Sequence, residues 1–180
     1  MRNVPFLIAL PAIVIAAPAF SAEYLSAPAA QRAMFPAATD FVPVNIDLTD
    51  AQRDEIKHLS GVRQRQSTQP VWRAEQQGKL LGWFVVDEVV GKHEFITYAA
   101  AISPDGHLLA VDVLVYRETY GFQVREVAWR SQFVGKSLDD AFKLDADVTN
   151  ITGATLSCRN VSSGLKRLLA LHKVVLAHAS

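Results

Sequence analysis

Apolar residues fall into three patterns along the chain. Near the N-terminus, Phe6 to Ala17 is an apolar run interrupted only by Pro11. In the middle, Leu109, Val111, Val113 and Val115 alternate with Ala110, Asp112, Leu114 and Tyr116. That period of two predicts a strand with both faces partly apolar, hence a central strand covered by helices on at least one side. Near the C-terminus, Val161, Leu165, Leu168, Leu169 and Val175 recur at helical spacing, while Lys166, Arg167 and Lys173 lie off that stripe. This predicts an amphipathic final helix, with basic residues toward its C-terminal half to suit the macrodipole.

Turn chemistry divides what remains. Thr49-Asp50-Ala51-Gln52 reads as a capping box opening a helix that runs to about Leu59, with Ile56 and Leu59 inward and Gly61 ending it. Upstream, Pro28, Pro36 and Pro43 punctuate an extended lead-in with a short helix near Ala29–Met34. Val62–Gln69 is polar and predicts a loop or ragged strand edge. From Val71 to Arg117 the pattern is an antiparallel meander. Val71–Gln76 and Lys79–Val86 flank Gln77-Gly78, and His93–Ile102 and His107–Arg117 flank Ser103-Pro104-Asp105-Gly106. Residues 118–150 are irregular, with short amphipathic stretches at Val127–Phe133 and Leu138–Phe142. The expected fold is α+β: a single domain with helices packed on one antiparallel sheet. Residues 23–70 form its lead-in and first helices, and residues 71–180 its main body.

The apolar N-terminal run changes this picture at one end. Arg2 precedes it, Pro18 closes it, and Ala19 and Ser21 fit a small-x-small cleavage site before Ala22, with a cut before Glu23 as the alternative. Residues 1–22 therefore read as a secretory signal peptide, which predicts a periplasmic protein. A retained anchor is the other reading, but the run is short and proline-broken beside the ~20 apolar residues a membrane span needs.

Composition adds exclusions. Of 18 basic residues one, Arg2, falls in the leader, leaving 17 against 18 acidic ones. A near-neutral chain argues against nucleic acid as a partner. Cys158 is the single cysteine, so no internal disulfide can form. Cys-x-x-Cys-His is absent, and the five histidines show no metal-ligand spacing. Gly135-Lys136-Ser137 lacks the upstream glycine of a phosphate-binding P-loop, where Arg130 stands instead. Asn150-Ile151-Thr152 and Asn160-Val161-Ser162 match glycosylation sequons, which arise often by chance. Trp72, Trp83, Trp129 and the tyrosines read as core residues, with one ring stacked on a ligand as the alternative.

Chemistry concentrates just ahead of the final helix, in Ile151-Thr152-Gly153-Ala154-Thr155-Leu156-Ser157. Hydroxyls and a glycine stand where a loop becomes a helix, and free backbone N–H groups there can hold an anion. Thr155 offers an oxygen for a phosphoester, Gly153 a bare backbone, and Thr152 and Ser157 further donors. The structural alternative is an ordinary N-cap by Thr155 or Ser157. Glu118-Thr119-Tyr120-Gly121 and Gln132-Phe133-Val134-Gly135-Lys136 precede it. Taken singly, the first of these reads as a strand end with a glycine turn.

In that order the three segments resemble the FMN-binding domain family, whose members include the FMN-carrying subunits of sodium-pumping NADH:quinone oxidoreductases and of Rnf complexes. The resemblance covers roughly Gly78 to Ala170. It implies FMN as cofactor, attached by a phosphoester to Thr155, with Thr152, Gly153, Ala154, Leu156 and Ser157 lining the phosphate turn. It places Glu118, Thr119 and Gly121 near the flavin. It also implies a flavin transferase for maturation and a membrane or periplasmic redox partner. The family has an acidic residue six positions before the acceptor; this chain has Thr149 there, and Asp147 two residues earlier. A phosphate site does not require that acid. No catalytic acid, base or nucleophile set stands out, so the expected role is an electron carrier. The reading from another class is a secreted interaction module of the same fold without flavin, and a third is a flavin-dependent reductase acting on an external substrate.

Overall fold

The computed structural model describes residues 24–179. The expected signal peptide lies outside the described residues. Helix α1 (Ala27–Met34) leads into strand β1 (Asp40–Asp47) and helix α2 (Asp50–Ser60). Strands β2 (Thr68–Gln76), β3 (Lys79–Val90), β4 (Phe95–Ile102) and β5 (Leu108–Tyr116) follow. After β5 come a 3-10 turn at Phe122–Arg125, the single-turn helix α3 (Val127–Arg130), and finally α4 (Thr155–Val174). The five strands pair antiparallel in chain order, a simple meander.

Local signals act where sequence placed them. The Thr49 hydroxyl accepts from the Gln52 N–H, the Gln52 side chain accepts from the Thr49 N–H, and Gly61 ends α2 in the left-handed region at φ 73°. Gln77 and Gly78 both adopt positive φ, 52° and 78°, as a two-residue hairpin between twisted strands demands. Leu138–Phe142, in contrast, forms no helix: Phe142 sits at φ 54°. The lead-in also differs from expectation, because its second half is strand β1, paired along its length with β2. Strand β2 begins at Thr68, so the boundary expected between residues 70 and 71 falls inside a strand. Pro43 is tolerated in β1 because an edge strand leaves half its amides without a ladder partner.

Helices cover both faces of the sheet. One face packs on α2 and α4 through Ile56, Trp83, Tyr98, Leu108, Leu165, Leu168 and Leu169, all essentially inaccessible to solvent. The other packs on α1 through Ala30, Phe35, Phe84, Ala99, Ala101 and Leu114. Strand β5 does not keep its alternation. Thr97 pairs with Val115 and Tyr98 with Val113, leaving Leu114 as the extra residue of a bulge. Beyond the bulge the faces exchange: Val115 joins the α1 side and Tyr116 joins Val111 and Val113 on the α4 side. The straight alternation read from sequence had put Tyr116 opposite those valines. The exchange turns the end of β5 toward the start of α4.

Candidate functional site

Helix α4 starts at Thr155 without a side-chain cap. Ala154 occupies the N-cap position, and no side chain bonds to the first turn. The turn ahead is closed by the Ala154 N–H donating to the Ile151 carbonyl (2.9 Å), and the first helical bond runs from Cys158 N–H to the Ala154 carbonyl (2.9 Å). The amides of Thr155, Leu156 and Ser157 therefore precede the first intrahelical bond, the arrangement that favours an anion. The capping role for Thr155 or Ser157 is not what the structure contains. Thr152 and Gly153 are exposed, Thr155 is half-buried, Leu156 is exposed, and Ala154 and Ser157 are buried. Gly153 has φ 85° and open space where a Cβ would stand, so its backbone conformation demands glycine while leaving the turn approachable.

The Glu118–Gly121 segment lies directly against this turn. At Gly121, with φ 82°, a Cβ would overlap the Ala154 side chain and lie 2.9 Å from the Tyr116 hydroxyl oxygen. The Tyr116 hydroxyl donates to the Tyr120 carbonyl (2.5 Å). Burial raises its pKa, against the lowering effect of Ser157. The bulge at Leu114 makes this possible, since it aims Tyr116 at α4. Two segments separated by more than thirty residues thus meet through one glycine and one tyrosine.

Glu118 itself faces elsewhere. Its carboxylate accepts from the backbone N–H of His93 (2.6 Å) and Glu94 (3.1 Å), in the turn joining β3 to β4. Gly91 leaves room for it, because a Cβ there would overlap the carboxylate. Burial raises the Glu118 pKa, but the backbone donors outweigh it and hold the group below the ordinary value. Thr119 is exposed beside it.

The Gln132–Lys136 segment braces the turn from behind. Phe133 is fully buried, edge-on to Trp129 and stacked on Phe142. Gln132 accepts from the Thr149 N–H (2.7 Å), and the Trp129 indole N–H donates to the Thr149 carbonyl (2.8 Å). The Thr149 backbone is therefore fixed while its side chain is exposed. Asp147 cannot serve in its place. It accepts from Lys136 Nζ (2.9 Å) and from the N–H groups of Phe142 (3.0 Å) and Lys143 (2.7 Å). Burial raises the Asp147 pKa, and Lys136 with those two amides lowers it further than burial raises it.

Cys158 is buried, and burial pushes its thiol pKa up in spite of the nearby helix start. Among the described residues no group of three or more His, Cys, Asp or Glu could hold a metal. Trp83 and Trp129 are core residues and Trp72 is half-buried, packed edge-on to Phe84. The tyrosines read as core from sequence, but Tyr120 is not, and Phe122 was not singled out. Tyr120 and Phe122 flank Gly121 and are 75% and 56% exposed, large values for aromatic rings beside an anion-competent turn. Their position on both sides of a motif glycine was the available signal. Asn150 Oδ1 and Gln123 Oε1 are buried without partners, one just ahead of the turn and one just after Gly121. Orphaned acceptors on both segments leave hydrogen-bonding capacity for a ligand with its own N–H or O–H groups. The uncapped amides, the exposed rings and these acceptors together fit a phosphate-bearing aromatic cofactor.

Comparison with known proteins agrees. Residues 91–170 match the model of the FMN-binding domain. No curated protein matches the chain. Among solved structures it is similar to the crystal structure of NqrC from Shewanella oneidensis, with 21% identity and a TM-score of 0.57. That likeness covers 83% of this chain and 88% of the other, and shows a shared fold. The matched span opens at Gly91, in the turn that Glu118 fastens, and ends inside α4, so it encloses both halves of the site. Residues 91–170 thus match the FMN-binding domain, and the cofactor this supports is FMN.

Proposed function

We propose that the protein is an exported electron carrier that holds FMN through a phosphoester to Thr155. The observation that carries this reading is the contact of Gly121 with Ala154, which sets Glu118–Gly121 beside the uncapped start of α4. Bound FMN supplies the redox chemistry; the chain holds, orients and shields it. The amides of Thr155, Leu156 and Ser157 and the α4 dipole stabilise the phosphate charge. Tyr120 and Phe122 offer their exposed rings to the flat ring system, and Leu156 offers apolar surface. Glu118 acts by fastening the β3–β4 turn to this loop, a positioning role.

Attachment requires a flavin transferase with FAD as donor. The Thr155 oxygen displaces AMP: the FAD phosphoanhydride breaks, a phosphoester forms, and the hydroxyl proton is released. Export by the N-terminal leader explains why a covalent bond is useful, since lost FMN could not readily be replaced outside the cytoplasm. A membrane or periplasmic redox partner completes the role. The occupied Asp147 and the neutral Thr149 favour a second reading, in which FMN is held tightly without the bond.

Intact mass of protein exported from a host co-expressing a flavin transferase tests these readings, for wild type and Thr155→Ala. A gain of one FMN minus water in wild type alone supports the covalent carrier, and the same spectrum gives the N-terminus, expected at Ala22 or Glu23. Yellow protein with an unmodified denatured mass supports the noncovalent form. Colourless, unmodified protein overturns the flavin carrier in favour of an interaction module.

A further inference from the structure

A groove of about 320 Å³ opens between the end of β3, the middle of α4 and the segment joining α2 to β2. Its floor is a buried polar chain that the flavin site does not use. The Arg167 guanidinium, 9% exposed, donates to the Asp87 carboxylate and to the Gln64 side-chain oxygen. Asp87 also accepts from the Tyr98 hydroxyl. Gln64 donates onward to Gln69 (3.3 Å), which in turn donates to the Val86 carbonyl (2.7 Å). Gly164 of α4 has no room for a Cβ, which would overlap the Tyr98 hydroxyl. The floor is therefore rigid.

The rim has a different character. Gln64 points inward while its neighbours Arg63 and Arg65 are exposed, and among the described residues neither makes an ion pair. Of the two acidic residues in the groove, Asp87 is committed to Arg167 and Tyr98, and Glu88 accepts from the Thr97 hydroxyl. Three arginines against two carboxylates leave one positive charge in excess in the lining. The opposite wall is apolar, with Val90 and Phe95 46% and 56% exposed. Asn160 fixes that wall by donating to the Val90 carbonyl (2.6 Å). Asn160 lies five residues after Thr155, about 7.5 Å along the helix axis.

We infer that this groove is a second ligand site, distinct from the FMN turn, for a small organic anion with a flat apolar body and one carboxylate. The body packs on Val90 and Phe95, and the carboxylate takes charge-assisted hydrogen bonds from Arg63 and Arg65. The volume is at the lower end for ligand pockets, roughly 300 Å³, which limits the body to about two fused rings.

Calorimetric titration of the full chain with 2-naphthoate, with and without FMN, tests the inference. The expected result is saturable one-to-one binding in both forms. The double variant Arg63→Ala/Arg65→Ala, altered only at exposed side chains, is expected to bind at least about tenfold more weakly. Phe95→Ala weakens binding severalfold, and the neutral 2-naphthylmethanol binds more weakly than the acid. Absence of saturable binding overturns the inference, as does unchanged affinity in the double arginine variant. Loss of binding in Tyr120→Ala with retention in the arginine variant assigns the probe to the flavin face, and also overturns it. Because the site is measured without FMN as well, failure of the flavin reading leaves this test intact.

Discussion

Helix α4 carries two regions built on opposite terms. Its first turn is uncapped and lies beside Gly121, whose neighbours Tyr120 and Phe122 are exposed. Two buried acceptors without partners among the described residues stand on the adjoining segments. Three turns on, Arg167 is enclosed by Asp87, Gln64 and Tyr98, with its charge paired and both terminal nitrogens hydrogen-bonded. The first region leaves polar capacity unspent, and the second pairs its charges. Groups left open at a helix start gain little stability by themselves, so their retention points to a ligand. Groups closed in the middle of a helix fix the packing of α2, α4 and β3 against one another. The comparison teaches that binding and stability in this small domain are separable along one helix.

Breaking the closed region should have the largest effect. Asp87→Ala leaves the Arg167 charge buried and alone, which is expected to cost about 3–5 kcal/mol. Denaturant unfolding would show this as a lower midpoint. The fraction of folded protein carrying FMN should stay near the wild-type value, and a parallel loss would join the two regions.

Gly121→Ala attacks the open region at its seam. The strain of positive φ adds to the overlap with Ala154, and a stability loss of about 1–3 kcal/mol is expected. Here FMN content should fall together with stability, unlike in the Asp87 variant. Tyr120→Ala is expected to leave the unfolding midpoint within about 0.5 kcal/mol of wild type, because the side chain is exposed. Flavin fluorescence should rise severalfold as a quenching ring is removed. An unchanged yield would remove Tyr120 from the flavin contact.

Thr149→Asp restores an acid at a position whose backbone is held by Gln132 and Trp129 and whose side chain is free. The expected outcome is a larger fraction of covalently flavinylated protein by intact mass, at unchanged stability. The smallest effect concerns pH. Glu118 is held below its ordinary pKa in the folded state, so the stability it adds is complete above the unfolded value, about 4.3. It is lost as pH falls through the lowered folded value. Glu118→Gln should therefore lower stability slightly at neutral pH, leave it unchanged in acid below the folded value, and so flatten the acid limb of the stability profile.

Much of the fold was legible because its signals are local. Thr49 with Gln52 specifies a helix start within four residues, Gln77-Gly78 specifies a hairpin within two, and the α4 stripe specifies part of its buried face. Arg167, read as lying off the stripe, is buried too because Asp87 and Gln64 meet its charge inside, and Val175 falls past the helix end. The motif segments were legible as chemistry for the same reason. Strand β1 was not, because its pairing with β2 depends on a partner over twenty residues away and its own pattern is proline-broken. Tyr120 was read as core and Phe122 was not singled out, because an exposed ring and a buried one are spelled alike.

By itself, the sequence determined the meander from β2 to β5, the closing helix and the glycine turn at Thr152–Thr155 ahead of it. Each depends on residues within a few positions of one another, where backbone preference and hydrogen bonding act directly. Tertiary structure alone decided the rest. The bulge at Leu114 turned Tyr116 onto the α4 side, Gly121 came to rest on Ala154, and Glu118 and Asp147 were committed to loops instead of to the turn. Such outcomes depend on which distant groups arrive at one place, and on the rule that a polar group leaving water takes whichever partner packing brings to it.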